Sequence, residues 1–293
     1  MKALHFGAGN IGAAVANDLI VSDSLSQKID SIALVDAVER IARGKALDLA
    51  HTAAVYERDL RISGSTEPGD IADAGIVVIT AGHARKAGQS REELFGSNAA
   101  IVAQCARDAA KYAPGSIIIV VTNPLDMMVY AVLQVSGFAK ERVIGMAGEL
   151  DGARLKFELA RASGKEISSM RSAIVGPHSE EMIALKNELG FEISDEIFAR
   201  AVQNTKRAGA QIGELLGTSA YLAPAAGIVK IIKYILFDTC GTLACCVADR
   251  SGVPLGRFVS VGKMGAIERN FAYSGDFYAQ LERMRERIAE LKF

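Results

Sequence analysis

The sequence has no excess of charge of either sign. Its 33 lysines and arginines stand against 34 acidic residues, a formal net charge of −1. That excludes an overall electrostatic case for nucleic acid or an anionic membrane as partner, so a charged ligand must be met locally. Long apolar runs are missing too. None reaches the roughly 18 residues needed to span a bilayer, and the run 116–121 is cut by Thr122-Asn123-Pro124. Cysteine is scarce. Cys105, Cys240, Cys245 and Cys246 lack the paired spacing of a metal or redox motif. No metal site is therefore expected. Free buried thiols are, in keeping with a reducing, cytoplasmic compartment. The N-terminus runs into a strand pattern without the layout of a signal peptide. Internal repeats and low-complexity linkers are absent as well.

What is present is an alternation. Strand-like runs rich in Val and Ile fall at 1–6, 31–35, 60–63, 76–80, 117–121 and 142–145. Helical patterns separate them at 11–21, 37–55, 91–112 and 125–135. Apolar strands without polar alternation are buried on both faces, the signature of a parallel sheet. Strand-helix alternation then implies right-handed crossovers and a doubly wound α/β fold over residues 1–147. After residue 147 the texture changes to a mixed α+β half, 148–293, expected to hold the substrate. It begins with a helix at 150–162, then a strand pattern at 170–175. Helices follow at 195–213 and 225–239, and a glycine-punctuated strand region at 253–264. In a closing helix, Phe277, Leu281, Met284, Ile288 and Leu291 are spaced 4, 3, 4, 3. Such a stripe packs on the body or on another subunit.

Gly7-Ala8-Gly9-Asn10-Ile11-Gly12 follows the first strand and opens the first helix. The first glycine allows the tight turn, the second admits a pyrophosphate, and the third lets helix and strand pack closely. Asp36 ends the second predicted strand, 24 residues beyond Gly12. A carboxylate there accepts from ribose hydroxyls and repels a 2′-phosphate, which favours NAD over NADP. Arg40, four residues on, works against that preference. A structural glycine turn and an S-adenosylmethionine site are the alternatives at this point.

Arg85 and Arg91 lie six apart in Gly82-His-Ala-Arg-Lys-Ala-Gly-Gln-Ser-Arg91, after the fourth predicted strand. Each guanidinium can grip a carboxylate through two parallel hydrogen bonds. Solvated surface charge is the plainer reading of that segment alone. Asn123 ends the fifth strand, at the sheet edge where ligands of open α/β folds sit. Asp151 and Arg154, at i and i+3, share a helical face. His178, in Gly176-Pro177-His178, can exchange a proton near neutral pH. His5 is expected to pack inside the first strand. His51 lies in a helical pattern, and His83 reads as structural.

Together these residues resemble the lactate/malate dehydrogenase family, in its lactate-dehydrogenase-like branch of malate dehydrogenases. The similarity runs through GAGNIG, GKALDLAH (44–51), ITAGxARKxGxSRxxLxxxN (79–98), VTNPLD (121–126), GMAGxLDxARLK (145–156) and TSAYLAPAA (218–226). It implies a Rossmann-type fold, NAD as cofactor, and reversible hydride transfer between (S)-malate and oxaloacetate in the tricarboxylic acid cycle. By the same resemblance His178 is the proton donor and acceptor, and Asp151 holds its imidazole. Arg91 polarises the substrate carbonyl. Arg154 binds the first carboxylate, and Arg85 selects for a second. Asn123 touches substrate and nicotinamide, and Ser219 the substrate. Val121, Thr122 and Asn98 join Gly7, Ala8, Gly9, Asn10, Ile11, Gly12 and Asp36 as cofactor contacts. A cytoplasmic homodimer or homotetramer is implied. The alternatives are a lactate or other 2-hydroxy-acid dehydrogenase and a catalytically silent NAD-binding sensor. The chain departs from many relatives at Ala87 and Gln89, where Pro and Met are common, and at Ser179 and Glu180, where Gly-Asp is common.

Overall fold

The computed structural model describes residues 1–83 and 91–291; for Leu4, His5, Arg91 and Glu92 it describes the backbone alone. Arg85, Ala87 and Gln89 lie outside the described residues.

The first half alternates as expected. Strand β1 (Lys2–Phe6) leads to helices α1 (Asn10–Val21) and α2 (Asp23–Ser26), then β2 (Ser31–Val35), α3 (Glu39–Val55), β3 (Arg61–Ser65) and β4 (Ile76–Ile79). After these come α4 (Arg91–Tyr112), β5 (Ile117–Val120), α5 (Leu125–Ser136), β6 (Val143–Gly145) and α6 (Gly148–Ser163). The second half holds β7 (Ile174–Val175), β8 (Ile183–Ala184), α7 (Asp195–Leu216), α8 (Leu222–Leu236), β9 (Gly241–Ala248), β10 (Pro254–Gly262), β11 (Gly265–Glu268) and α9 (Gly275–Ala289).

Among the described residues, nine strands form one sheet in the order β11-β10-β9-β6-β5-β4-β1-β2-β3. The six from β3 to β6 are parallel. Their order reverses between β1 and β4, and at such a switch the carboxyl ends of two strands open a crevice for ligand. The residues of β4 and β5, Ile-Val-Val-Ile and Ile-Ile-Ile-Val, are all buried. Helices therefore cover both faces, and two apolar clusters flank the sheet.

The second half joins this sheet through β9, which no strand pattern in the sequence marks. It lies antiparallel to β6, with Gly145 opposite Cys246, and β10 and β11 extend the sheet antiparallel from there. The segment Leu243-Ala-Cys-Cys-Val-Ala248 is buried throughout. Small residues without alternation do not distinguish a buried strand from a buried helix. Conversely, the strand pattern expected over 170–175 shrinks to Ile174–Val175. Cys105, Cys245 and Cys246 are free and buried as expected, whereas Cys240 is exposed. It sits at positive φ in the turn just before β9.

On α9 the apolar stripe packs on the body of the chain. Phe277, Leu281, Met284 and Ile288 are buried against Val175, Leu255 and Phe258. At about 1.5–3 kcal/mol for each fully buried side chain, this stripe outweighs the helix's weak propensity to form alone. Leu291 packs on the same cluster from beyond the helix end.

Candidate active site

At the carboxyl end of β1 the chain turns at Gly7, whose φ is +106°. A Cβ there would meet Thr80 Oγ1 at 2.6 Å, and one on Gly12 would meet the Gly7 carbonyl oxygen at 2.1 Å. Only glycine permits this approach. Thr80, just past β4, donates to the carbonyls of Phe6 and Gly7 at 3.1 and 3.2 Å and props the turn. Helix α1 then opens at Asn10 without a side-chain cap. Gly9 and Asn10 are exposed, and a Cβ on Gly9 would meet nothing within 4 Å. An uncapped helix end with open space before it is an anion site by its backbone N–H groups and dipole.

Asp36 stands beside this turn. Its carboxylate accepts from the backbone N–H of Ala8 at 2.8 Å and of Val38 at 3.0 Å. Each oxygen thus keeps a further lone pair for a ribose hydroxyl. The glycine cradle, the uncapped helix and this carboxylate fit a dinucleotide without a 2′-phosphate.

The exits of β4 and β5 are joined by side chains. Thr122 Oγ1 donates to the Ala81 carbonyl at 2.7 Å. Asn98, on α4, is fully buried. Its Oδ1 accepts from the His83 N–H at 2.7 Å, and its Nδ2 donates to the carbonyls of His83 at 3.1 Å and Asn123 at 2.8 Å. Val121 is buried, Asn123 is exposed, and the Asn123–Pro124 peptide is cis.

A second cluster gathers His178, Asp151 and Arg154. His178 Nδ1 and Asp151 Oδ2 are 2.7 Å apart, and Arg154 donates to Asp151 Oδ1 at 3.3 Å. The Asp151 side chain is only 2 % exposed, against 17 % for His178 and 16 % for Arg154. The carboxylate is therefore enclosed, while its two partners reach the surface of the cleft. The i, i+3 spacing on α6 puts Asp151 and Arg154 on one face, as the sequence indicates. The Arg154 guanidinium lies beside Gly209 of α7, where a Cβ would stand in ordinary van der Waals contact with it at 3.6 Å.

The histidine segment is fixed at two further points. Gly176 and Gly256 exchange backbone hydrogen bonds of 2.8 and 3.0 Å, which dock the segment on β10. A Cβ on Gly256 would stand 2.4 Å from the Gly176 oxygen. Asp126 Oδ2 accepts from the His178 N–H at 3.0 Å. Neither Asp126 nor Gly256 was expected from the sequence as part of the site. Asp126 belongs to the VTNPLD motif, but only the fold brings it to a residue 52 positions away.

Burial alone would press the His178 imidazole toward its neutral form. The Asp151 charge and hydrogen bond, with the Asp126 charge behind them, outweigh burial and Arg154. The imidazole pKa is therefore raised above the ordinary histidine value.

Arg91 is the first residue of α4, two turns before Asn98. Ser219 is exposed in the segment between α7 and α8. Among the described residues, no hydrogen bond ties it to His178. His51 and His83 are exposed.

A dinucleotide cradle at the switch of a parallel sheet, together with a histidine paired to a buried aspartate, is the arrangement of a nicotinamide-dependent dehydrogenase. Comparison with known proteins gives the lineage. The lactate/malate dehydrogenase NAD binding domain matches residues 1–145, and the α/β C-terminal domain of the same family matches residues 148–267. The malate dehydrogenase of Nitratiruptor sp. is 39% identical over 272 residues, 89% of this chain and 84% of the relative. Among solved structures, Cryptosporidium parvum malate dehydrogenase is 31% identical with a TM-score of 0.90, covering 98% of this chain and 96% of that one. The Archaeoglobus fulgidus malate dehydrogenase in complex with NADH is 30% identical with a TM-score of 0.89, over 100% of both chains. The chain belongs to the lactate/malate dehydrogenase family. It is an NAD-dependent oxidoreductase.

Proposed function

We propose that the protein interconverts (S)-malate and oxaloacetate with NAD, residues 1–147 holding the cofactor and 148–293 the substrate. The observation that carries this is the His178–Asp151–Arg154 cluster, in a chain that also builds the glycine cradle. The nicotinamide ring, when bound, supplies or accepts the hydride. The pyrophosphate lies on Gly7, Ala8, Gly9, Asn10, Ile11 and Gly12, with Asp36 on the adenosine ribose. Val121, Thr122 and Asn123 flank the nicotinamide side.

The chain's own residues do the rest. Asp151 holds Nδ1 of His178, so Nε2 is the atom that exchanges a proton with the substrate oxygen. In reduction of the ketone, protonated His178 gives that proton as negative charge grows on oxygen. In oxidation of the alcohol, neutral His178 takes it back. Asp151 orients the ring and stabilises its charged form in both directions. Arg154 retains donors beyond the one on Asp151 for a substrate carboxylate, and its Nε has no partner among the described residues. Arg91 polarises the carbonyl oxygen. Ser219 and Asn123 add polar contacts, and Arg85 pairs with the second carboxylate. A substrate lacking that carboxylate would leave Arg85 unpaired, at a cost of about 3–5 kcal/mol in a closed site.

We place the reaction in the tricarboxylic acid cycle, in the cytoplasm, consistent with free thiols at all four cysteines. Assembly as a homodimer or homotetramer is supported by apolar side chains on the surface, Ile41, Leu47 and Val55 on α3 and Leu222 on α8.

NADH oxidation with oxaloacetate against pyruvate tests the assignment. A kcat/KM at least about 10²-fold higher for oxaloacetate is expected from the unpaired-charge penalty. Equal or better use of pyruvate overturns the substrate assignment. The Arg85→Gln variant should then move the ratio toward pyruvate.

A further inference from the structure

Helix α9 has two faces with different partners. Its apolar face, from Phe277 to Ile288, shares one cluster with Val175 of β7, three residues before His178. The Phe277 ring stacks on Tyr273 with centroids 3.9 Å apart, and the Tyr273 hydroxyl accepts from the Phe258 N–H at 2.9 Å. The helix is thus seated on β10, the strand on which the histidine segment docks through Gly256.

Its charged edge holds the chain on the other side of the histidine. Arg283 and Arg287, one turn apart, both pair with Glu181, three residues after His178. Both terminal nitrogens of Arg287 donate to Glu181 Oε2 at 3.2 Å, and Arg283 Nη1 stands 3.6 Å from Oε1. The turn between Glu181 and His178 is closed on itself. Ser179 is buried; its hydroxyl accepts from the Glu181 N–H at 3.0 Å, and its carbonyl accepts from the Met182 N–H at 3.0 Å. Displacing Glu181 therefore displaces the turn that carries His178. Glu181 is 35 % exposed, so these ion pairs add little to overall stability. What they fix is where the turn lies.

We propose that α9 is a clamp on His178: its apolar face seats the strand before the histidine, Arg283 and Arg287 hold the turn after it, and Glu181 is a positioning residue for the proton step. This rests on the proposed function, in which His178 carries the proton. The charged groups that face the imidazole are Asp151 and Arg154 of α6 and Asp126 of α5. Burial presses the ring toward its neutral form, and Asp151, bonded at 2.7 Å, leads the groups that more than offset this. Loosening the turn weakens that bond and lowers the imidazole pKa, whichever side of the clamp is cut. Charge acting through space does otherwise. Loss of Glu181 would lower the pKa, and loss of the two arginines would raise it.

That difference in sign is the test. Three variants are compared with wild type: Glu181→Gln, the pair Arg283→Gln/Arg287→Gln, and all three changes together. The side chains are partly exposed, so folding is little affected. The His178 pKa is read by NMR titration of the imidazole protons, assigned by the loss of their signal in His178→Asn. Turnover is measured with whichever 2-keto acid the wild type reduces. The pKa should fall by about half a pH unit in both Glu181→Gln and the arginine pair. kcat should fall by about threefold in each, with KM little changed. The triple variant should go no further than the worse of the two, because all three groups make one contact. Shifts of opposite sign, or a pKa that does not move in either variant, would overturn the clamp. Full turnover in His178→Asn would overturn the proton role instead, and the NMR titration would still decide the clamp.

Discussion

The two ends of the crevice are built on different principles. The cofactor end is made of backbone from nearly consecutive residues: a glycine turn, a helix N-terminus and one carboxylate that braces Ala8 and Val38. The histidine end is made of charged side chains from distant segments. Asp126 comes from α5, Asp151 and Arg154 from α6, His178 from the segment after β7, and Gly256 from β10 beneath it. The first shape needs only a few glycines and one carboxylate. The second depends on every charge being present and on long-range packing to bring them within hydrogen-bond distance. In the function we propose, the first end binds and the second does the proton chemistry.

Substitutions can break that division. The largest of three expected effects is at Asp151. Asp151→Asn removes the charge that raises the His178 pKa and the carboxylate that orients its ring, and should lower kcat by about 10²–10⁴-fold. The pH dependence has a definite sign. The His178 pKa is raised in the native protein, chiefly against burial and by Asp151. Losing that carboxylate lowers it. Ketone reduction, which needs the protonated ring, should lose its alkaline limb at lower pH than wild type. Alcohol oxidation, which needs the neutral ring, should gain its acidic limb at lower pH. Profiles that do not move would separate Asp151 from the proton step.

Asp126→Asn sharpens the comparison. The amide can still accept from the His178 N–H through its oxygen, but the charge is gone. A kcat/KM loss of about tenfold is expected, with the same acidward shift on a smaller scale. A loss without a pH shift would make Asp126 a support for the segment only. The smallest effect is expected at the cofactor end. Asp36→Ser should raise NADPH use relative to NADH by a few-fold, about 1 kcal/mol of differential binding, and leave the pH profiles unchanged. A shifted profile would contradict the separation of the two ends.

The same contrast explains what was legible in the sequence. The GAGNIG turn, the strand carrying Asp36 and the parallel order of the first half follow from local patterns and short spacings. The i, i+3 relation of Asp151 and Arg154 was readable because a helix converts sequence spacing directly into geometry. His178 could be singled out by chemistry, but its supports could not. Gly256 lies 80 residues from Gly176, and only the antiparallel extension of the sheet brings the two together. That extension runs through β9, whose small apolar residues carry no periodic signal. Asp126 stands within a recognisable motif, but nothing local says that its carboxylate faces the backbone of His178. Asn98 stands in a recognisable motif too, but only the fold brings its amide to the backbone of His83 and Asn123.

The most direct measurement of the account takes His178→Asn and reads NADH affinity and turnover in one preparation. The variant keeps an amide of similar reach beside Asp151 but cannot shuttle a proton. NADH should bind within about threefold of wild type, while kcat/KM with oxaloacetate falls by about 10³-fold or more. Turnover close to wild type would contradict the central claim that His178 carries the proton. A matching loss of NADH binding would contradict the separation of a backbone-built cofactor end from a side-chain-built chemical end.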